Sequence, residues 1–134
     1  MRIIRGRASG NRPSQHRTDT FTGTVWADPV LSTEEGHAVN SVTFTPGART
    51  YWHSHAGGQL LVVTAGQGWV CAEREQPELI RAGDVVWAPP GERHWHGGTA
   101  ETIMTHLAVS LGSTSWLDEV SDEDFLAVVA EATR

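Results

Sequence analysis

Apolar and polar positions alternate in short runs through most of the chain. Residues 21–26, from Phe21 through Val25 to Trp26, alternate and are rich in β-formers. They predict a strand that Asp28-Pro29 stops. Over 37–45 the alternation places Val39, Ser41, Thr43 and Thr45 on one face and Asn40, Val42 and Phe44 on the other. Pro46-Gly47 is a turn, 49–55 the next strand, and Ala56-Gly57-Gly58 its end. Residues 59–64 and 67–73 flank Ala65-Gly66 as a hairpin-like pair. Leu79-Ile80 and 84–88 flank Ala82-Gly83 as a second. Pro89-Pro90-Gly91 is the strongest turn signal, and 93–96 and 102–111 complete the strand-rich region. Many short strands between Gly/Pro turns predict an antiparallel all-β sandwich or barrel.

The period changes near the end. Phe125, Val128, Val129 and Ala132 fall at helical spacing, and Ser121 precedes Asp122, Glu123 and Asp124. A capping serine followed by acids in the first turn suits the positive end of a helix dipole. The pattern predicts a short C-terminal helix over 121–132, packed on the barrel or on a partner chain. Residues 1–19 are polar, contain Gly10 and Pro13, and read as an N-terminal arm; 20–134 read as one domain.

Composition narrows the function classes. A chain of 134 residues fits a single domain with a sizeable core. Ten Arg and no Lys stand against 16 Asp and Glu, for a net charge of −6. That balance argues against non-specific nucleic-acid or anionic-membrane binding. Half of the arginines lie in the arm: Arg2, Arg5, Arg7, Arg12 and Arg17. A single cysteine, Cys71, excludes an internal disulfide and a cysteine-built zinc site; its neighbours read as an ordinary strand. No apolar run approaches the roughly 18 residues of a membrane span. The basic N-terminus lacks the apolar stretch of a secretory signal, so a cytoplasmic protein is expected.

Seven His and six Trp change the picture. His53 and His55 are two apart in a predicted strand, so both rings point to one face. Gln59 opens the next strand, and His94 arrives from a separate segment after Pro89-Pro90-Gly91. Three imidazoles and one oxygen donor converging inside a barrel can hold a divalent first-row metal with open positions. An isolated His-x-His in a strand is usually a packed or solvent-facing pair; its surroundings set this one apart.

Gly47, five residues, His53-Ser54-His55, three residues, Gln59, six residues and Gly66 resemble the first cupin motif at every spacing. Gly83, five residues, Pro89-Pro90-Gly91, two residues and His94 resemble the second. The chain departs from the usual pattern at Gln59, where cupins generally carry Glu, and at Gly98, where they often carry Asn. Over most of 20–125 it is similar to the small bacterial cupins that include manganese-dependent hydroxynitrile lyases. The segments that carry this run from Phe21 to Val25, Ser41 to Thr50, Trp52-His53, Gly83 to Trp87, His94 to Gly97 and Met104 to Ala108. The resemblance implies an antiparallel cupin jelly-roll barrel with a short C-terminal helix. It implies metal ligands His53, His55, Gln59 and His94, and a divalent ion, manganese first, with Fe, Zn, Co or Ni as alternatives. Such an all-neutral donor set leaves the ion's charge uncompensated, favouring anionic ligands and weakening hard-cation affinity.

His106 lies in a predicted strand with Met104, Ala108 and Ser110 on its face, and His96 is two residues from His94. Together with Thr50, a hydrogen-bond donor to a substrate oxygen, they are the catalytic candidates, since an unperturbed His titrates near ~6.5. Asn40, Val42, Phe44 and Ser110 are expected to line the pocket. Trp52, Trp69, Trp87 and Trp95 read as core or subunit-contact residues, with Trp52 and Trp95 facing away from the metal by strand parity. His16 and His37 receive no role. The resemblance points to a lyase that cleaves or forms cyanohydrins. Alternatives are an oxygen-dependent metalloenzyme acting on a small organic substrate and a metal-containing binding protein without turnover. A small-molecule substrate and a homodimer or homotetramer are expected.

Overall fold

The computed structural model describes residues 1–5 and 12–132; Arg7 and Gly10 of the expected arm lie outside them. In chain order the strands are β1 (Gln15–Arg17), β2 (Phe21–Thr22), β3 (Val25–Ser32), β4 (Ala38–Phe44), β5 (Arg49–Thr50) and β6 (His53–His55). There follow β7 (Gln59–Ala72), β8 (Glu78–Arg81), β9 (Val85–Ala88), β10 (His94–Gly98), β11 (Met104–Ser110), β12 (Thr114–Trp116) and the helix α1 (Asp122–Ala132).

Every strand pairing is antiparallel. The hydrogen-bonded path runs β1-β3-β4-β11-β7-β10-β5-β2; β6 joins β10 and β12, while β8 and β9 both lie on β7. The result is the expected antiparallel jelly-roll barrel, nearly closed, with a helix on its outside.

Several boundaries differ from expectation for identifiable reasons. Ala65-Gly66 is not a hairpin turn. β7 runs straight through it for 14 residues, pairing β11 and β9 with its first half and β10 and β8 with its second. The register with β11 shifts at this point, Thr105 opposing Ala65 while His106 opposes Val63. That bulge bends one strand from one side of the barrel to the other. Gly66 accepts a φ of 71° there, and a Cβ would collide with the carbonyl oxygen of Ile103. Likewise β8 and β9 pair with β7 rather than with each other.

Asp28-Pro29 does not stop β3, which continues to Ser32 with a register shift between Pro29 and Leu31. Beyond Ala27 no β1 residue pairs with that side of the strand, so the missing proline N–H breaks no ladder bond there. The predicted strand 49–55 is two short strands with Tyr51 and Trp52 between them. Within the expected arm, β1 pairs with Val25, Trp26 and Ala27.

Two cores hold the fold. Val25, Val42, Phe44, Val63, Ile80 and Met104 fill part of the barrel interior. Outside it, Trp69, Trp95, Val120, Phe125 and Val128 clamp α1 to the barrel, with Trp52 packed against them. Trp52 and Trp95 thus belong to the outer core, as parity predicted, whereas Trp87 is exposed. The helix starts as expected: Ser121 Oγ accepts the Asp124 amide at 3.1 Å, and Ser121 O accepts that of Phe125. Arg49, 4% exposed, fastens this end. Its guanidinium donates to Val120 O, Gly47 O and Asp122 Oδ1 and lies 4.8 Å over the Phe125 ring. Val129 packs beside this core, while the Ala132 side chain lies outside the described residues.

Candidate metal centre

The short strand β6 places His53 and His55 on one inward face, and across the pair with β10 His94 stands directly opposite His53. Gln59 enters at the first residue of β7. All four side chains are buried. Ring centroids are 4.4 Å apart for His53 and His94, 5.0 Å for His53 and His55, and 5.8 Å for His55 and His94.

Each ring is held by its Nδ1. His53 Nδ1 lies 2.8 Å from Tyr51 O, and His94 Nδ1 lies 3.0 Å from Glu92 O. Carbonyl oxygens only accept, so both Nδ1 atoms carry the proton and both Nε2 atoms present a lone pair. His55 Nδ1 meets Thr114 Oγ1 at 3.0 Å, leaving its Nε2 buried without a hydrogen-bond partner. The Gln59 carboxamide donates its nitrogen to Ser110 Oγ at 3.0 Å, which turns Oε1 to within 3.0 Å of His94 Nε2. Two acceptors face each other there without a proton between them. A cation bound by both relieves that opposition, and outer partners that fix ring orientation are what a metal site requires. The donor set therefore fits a divalent ion.

A fourth imidazole stands close. Ligand atoms of His53, His94 and His96 all lie within 4.8 Å of one another. His96 Nδ1 is 3.0 Å from His106 Nε2, while His96 Nε2 and His106 Nδ1 are buried without partners. The other predicted residues gather around this pair. Thr50 Oγ1 accepts the His96 amide at 3.2 Å, leaving its own proton free to donate. Phe44 packs on both rings, with centroids 5.7 Å from His96 and 5.4 Å from His106. Asn40, Val42, Phe44, Thr50 and Ser110 line one cavity of about 260 Å³ together with His53, His55, Gln59, His96 and His106. His94 is not among the lining residues, though its Nε2 meets the lining Gln59.

Burial keeps these imidazoles neutral. Removal from water pushes His53 down to about 3, with the neighbouring His94 adding to the shift. Burial and then His94 lower His55 to about 4, and burial lowers His106 to about 4. His94 and His96 are shifted down first by burial too. Neutral imidazole is the form that ligates metals.

Sequence reasoning missed three contributors. Thr114 and Trp116 lie on β12, whose three residues are too short for alternation to register, yet Thr114 orients His55 and Trp116 packs 4.7 Å from His53. Arg17, from the arm, reaches the cavity lining. The two unassigned histidines are structural: His16 stacks on Trp26 at 4.8 Å, and His37 Nδ1 accepts the Gly112 amide at 3.0 Å.

The chain is 46% identical over 131 residues to an (R)-mandelonitrile lyase from Granulicella tundricola, covering 93% of this chain and 97% of that protein. Its fold superposes on the crystal structure of a cupin-like protein from Thermotoga maritima with a TM-score of 0.82, at 36% identity, over 90% of this chain and 96% of that one. A second Thermotoga maritima structure, described as a predicted oxalate decarboxylase, shares the fold with a TM-score of 0.70 at 23% identity, covering 84% of this chain and 100% of that one. The family described as the cupin domain matches residues 40–110, which span the strands from β4 to β11 and all four expected ligands. The chain belongs to the cupin family.

Proposed function

We propose that this protein is a divalent-metal-dependent lyase that cleaves and forms cyanohydrins. The observation that carries the reading is the inward-facing donor set of His53, His55, Gln59 and His94 beside the His96–His106 pair, in a chain so similar to a mandelonitrile lyase. Manganese is the first ion to test. When bound, such an ion supplies a Lewis acid for a substrate hydroxyl or nitrile and an attraction for cyanide.

The chain's own residues do the rest. His106 or its partner His96 takes the hydroxyl proton, the electron pair of the O–H bond forms the carbonyl, and the C–C bond breaks with its pair leaving on cyanide. Thr50 and Asn40 offer hydrogen bonds to substrate oxygens on the cavity wall, and Val42 and Phe44 bound the space for the organic group. The buried setting excludes bulk water from the proton transfer.

The test is release of benzaldehyde from mandelonitrile by metal-loaded protein. Activity well above that of His106→Ala and His96→Ala variants is expected; none above them sinks the lyase reading. Oxygen uptake by Fe(II)-loaded protein, with a product that incorporates oxygen, would favour an oxidative cupin instead. A retained small molecule without turnover would favour a binding protein.

A further inference from the structure

The arginine-rich arm reaches the site through its strand β1. In the β1–β3 ladder Arg17 lies opposite Val25 and Gln15 opposite Ala27, both of them core residues, whereas His16 lies opposite the exposed Trp26. Directly opposed residues share a sheet face, so Arg17 is carried on the inner face and His16 on the outer one. Arg17 accordingly lines the metal-site cavity. With Phe21 and Trp116 it also lines an adjoining outer pocket, where Asp19 sits as well. These three residues therefore form the rim between the cavity and the surface.

The charge at this rim is unusual for the molecule. The chain carries 16 Asp and Glu, but among the described residues none lines the inner cavity, where Arg17 is the one formally charged residue. Among the described residues no carboxylate forms an ion pair with it. Its guanidinium donates to Gln15 Oε1 at 3.1 Å, which uses one of five donors and neutralises nothing. An aromatic rim holding one guanidinium that no described carboxylate pairs with, above a small, partly apolar cavity, matches a compact organic acid. Planar bidentate recognition of a carboxylate is what that group does best.

We propose that Arg17 binds a carboxylate on the substrate, so that the preferred substrates are small carbonyl or cyanohydrin compounds bearing an acid at the end remote from the reacting carbon. This rests on the lyase reading of the cavity for its reaction, though not for its binding. The carboxylate pairs with the guanidinium at the rim while Phe21 and Trp116 flank the organic body. The carbonyl end then points inward towards His96 and His106.

Two measurements test it. In the first, metal-loaded protein adds cyanide to 4-carboxybenzaldehyde or to 4-carbamoylbenzaldehyde, a neutral compound of the same shape. Wild type should favour the acid, and the acid-to-amide ratio of kcat/KM should fall about fivefold in Arg17→Gln, chiefly through KM, with partial recovery in Arg17→Lys. A ratio unchanged by Arg17→Gln overturns the proposal. The second follows tryptophan emission, to which Trp116 at the rim contributes, on titration with benzoate or benzamide. A benzoate preference lost in Arg17→Gln supports the carboxylate site even where neither aldehyde reacts, an outcome that sinks the lyase reading alone. A benzoate preference that survives in Arg17→Gln puts the acid elsewhere, on the imidazole centre, and overturns the assignment.

Discussion

At the scale of single residues, the centre is organised by atoms that face away from it. Tyr51 O, Glu92 O and Thr114 Oγ1 hold the Nδ1 sides of three rings, and Ser110 Oγ holds the Gln59 amide nitrogen. Ser110, expected only as a pocket residue, is thereby the group that decides which end of Gln59 faces His94. Ser110→Ala should lower metal affinity about tenfold, as loss of an outer partner generally does, measured by competition with a chelator. An unchanged affinity would show that Gln59 needs no orientation. Burial adds a pH dependence to the metal-free protein. The unfolded chain protonates its histidines below about 6.5, whereas native His53, His55 and His106 resist until about 3 to 4. Stability of the metal-free form should therefore fall as pH drops from about 6.5 towards 4, because the unfolded state binds the extra protons. Urea midpoints at pH 7, 5.5 and 4 check this; a flat profile contradicts it.

Among the elements, β7 and the β5–α1 junction each depend on a single residue, Gly66 and Arg49. The bulge at Val63–Ala65 and the positive φ of Gly66 let one strand serve two sides of the barrel. Gly66→Ala must strain that φ and displace Ile103, and a loss of about 2 kcal/mol or more is expected in chemical denaturation. At the junction, Arg49 is buried while its carboxylate partner Asp122 is exposed. Arg49→Met leaves Val120 O and Gly47 O without their donor, at a cost of about 2–3 kcal/mol. Asp122→Asn should cost about 1 kcal/mol or less, as exposed pairs do. Equal costs would mean that the ion pair, rather than the carbonyl bonds, fastens the helix.

For the molecule as a whole, we propose that the exposed apolar face of β9 is a contact between copies of this chain. Val85 and Trp87 are 62% and 52% exposed on β9, two residues apart and thus on one face. Light scattering should show a dimer or tetramer, with Trp87→Glu shifting the mass towards the monomer; an unchanged mass moves the interface elsewhere. No helix among the described residues is long and apolar enough to cross a membrane.

Alternation and turn residues sufficed for the all-β class, most strands, the capped helix and the outward-facing Trp52 and Trp95, because strand parity is a local property of the backbone. The spacing from Gly47 to Gly66 and from Gly83 to His94 carried the resemblance to the cupins, and that resemblance implied the four expected ligands. Pairing was different. Whether Ala65-Gly66 turns or bends depends on β11, which lies some 40 residues away and supplies the bulge partner. The same holds for the site's outer partners: Thr114, Ser110 and Trp116 come from distant strands that only barrel closure brings against His55, Gln59 and His53. Arg17 shows the limit most plainly. In the sequence it is one of five arginines in a polar arm; three ladder pairs with β3 place it on the cavity rim. Local periodicity determined most of the elements of this protein, and residue spacing its cupin motifs. Tertiary pairing alone decided which side chains orient the buried imidazoles and which charge stands at the cavity rim, since both depend on contacts between residues far apart in the chain.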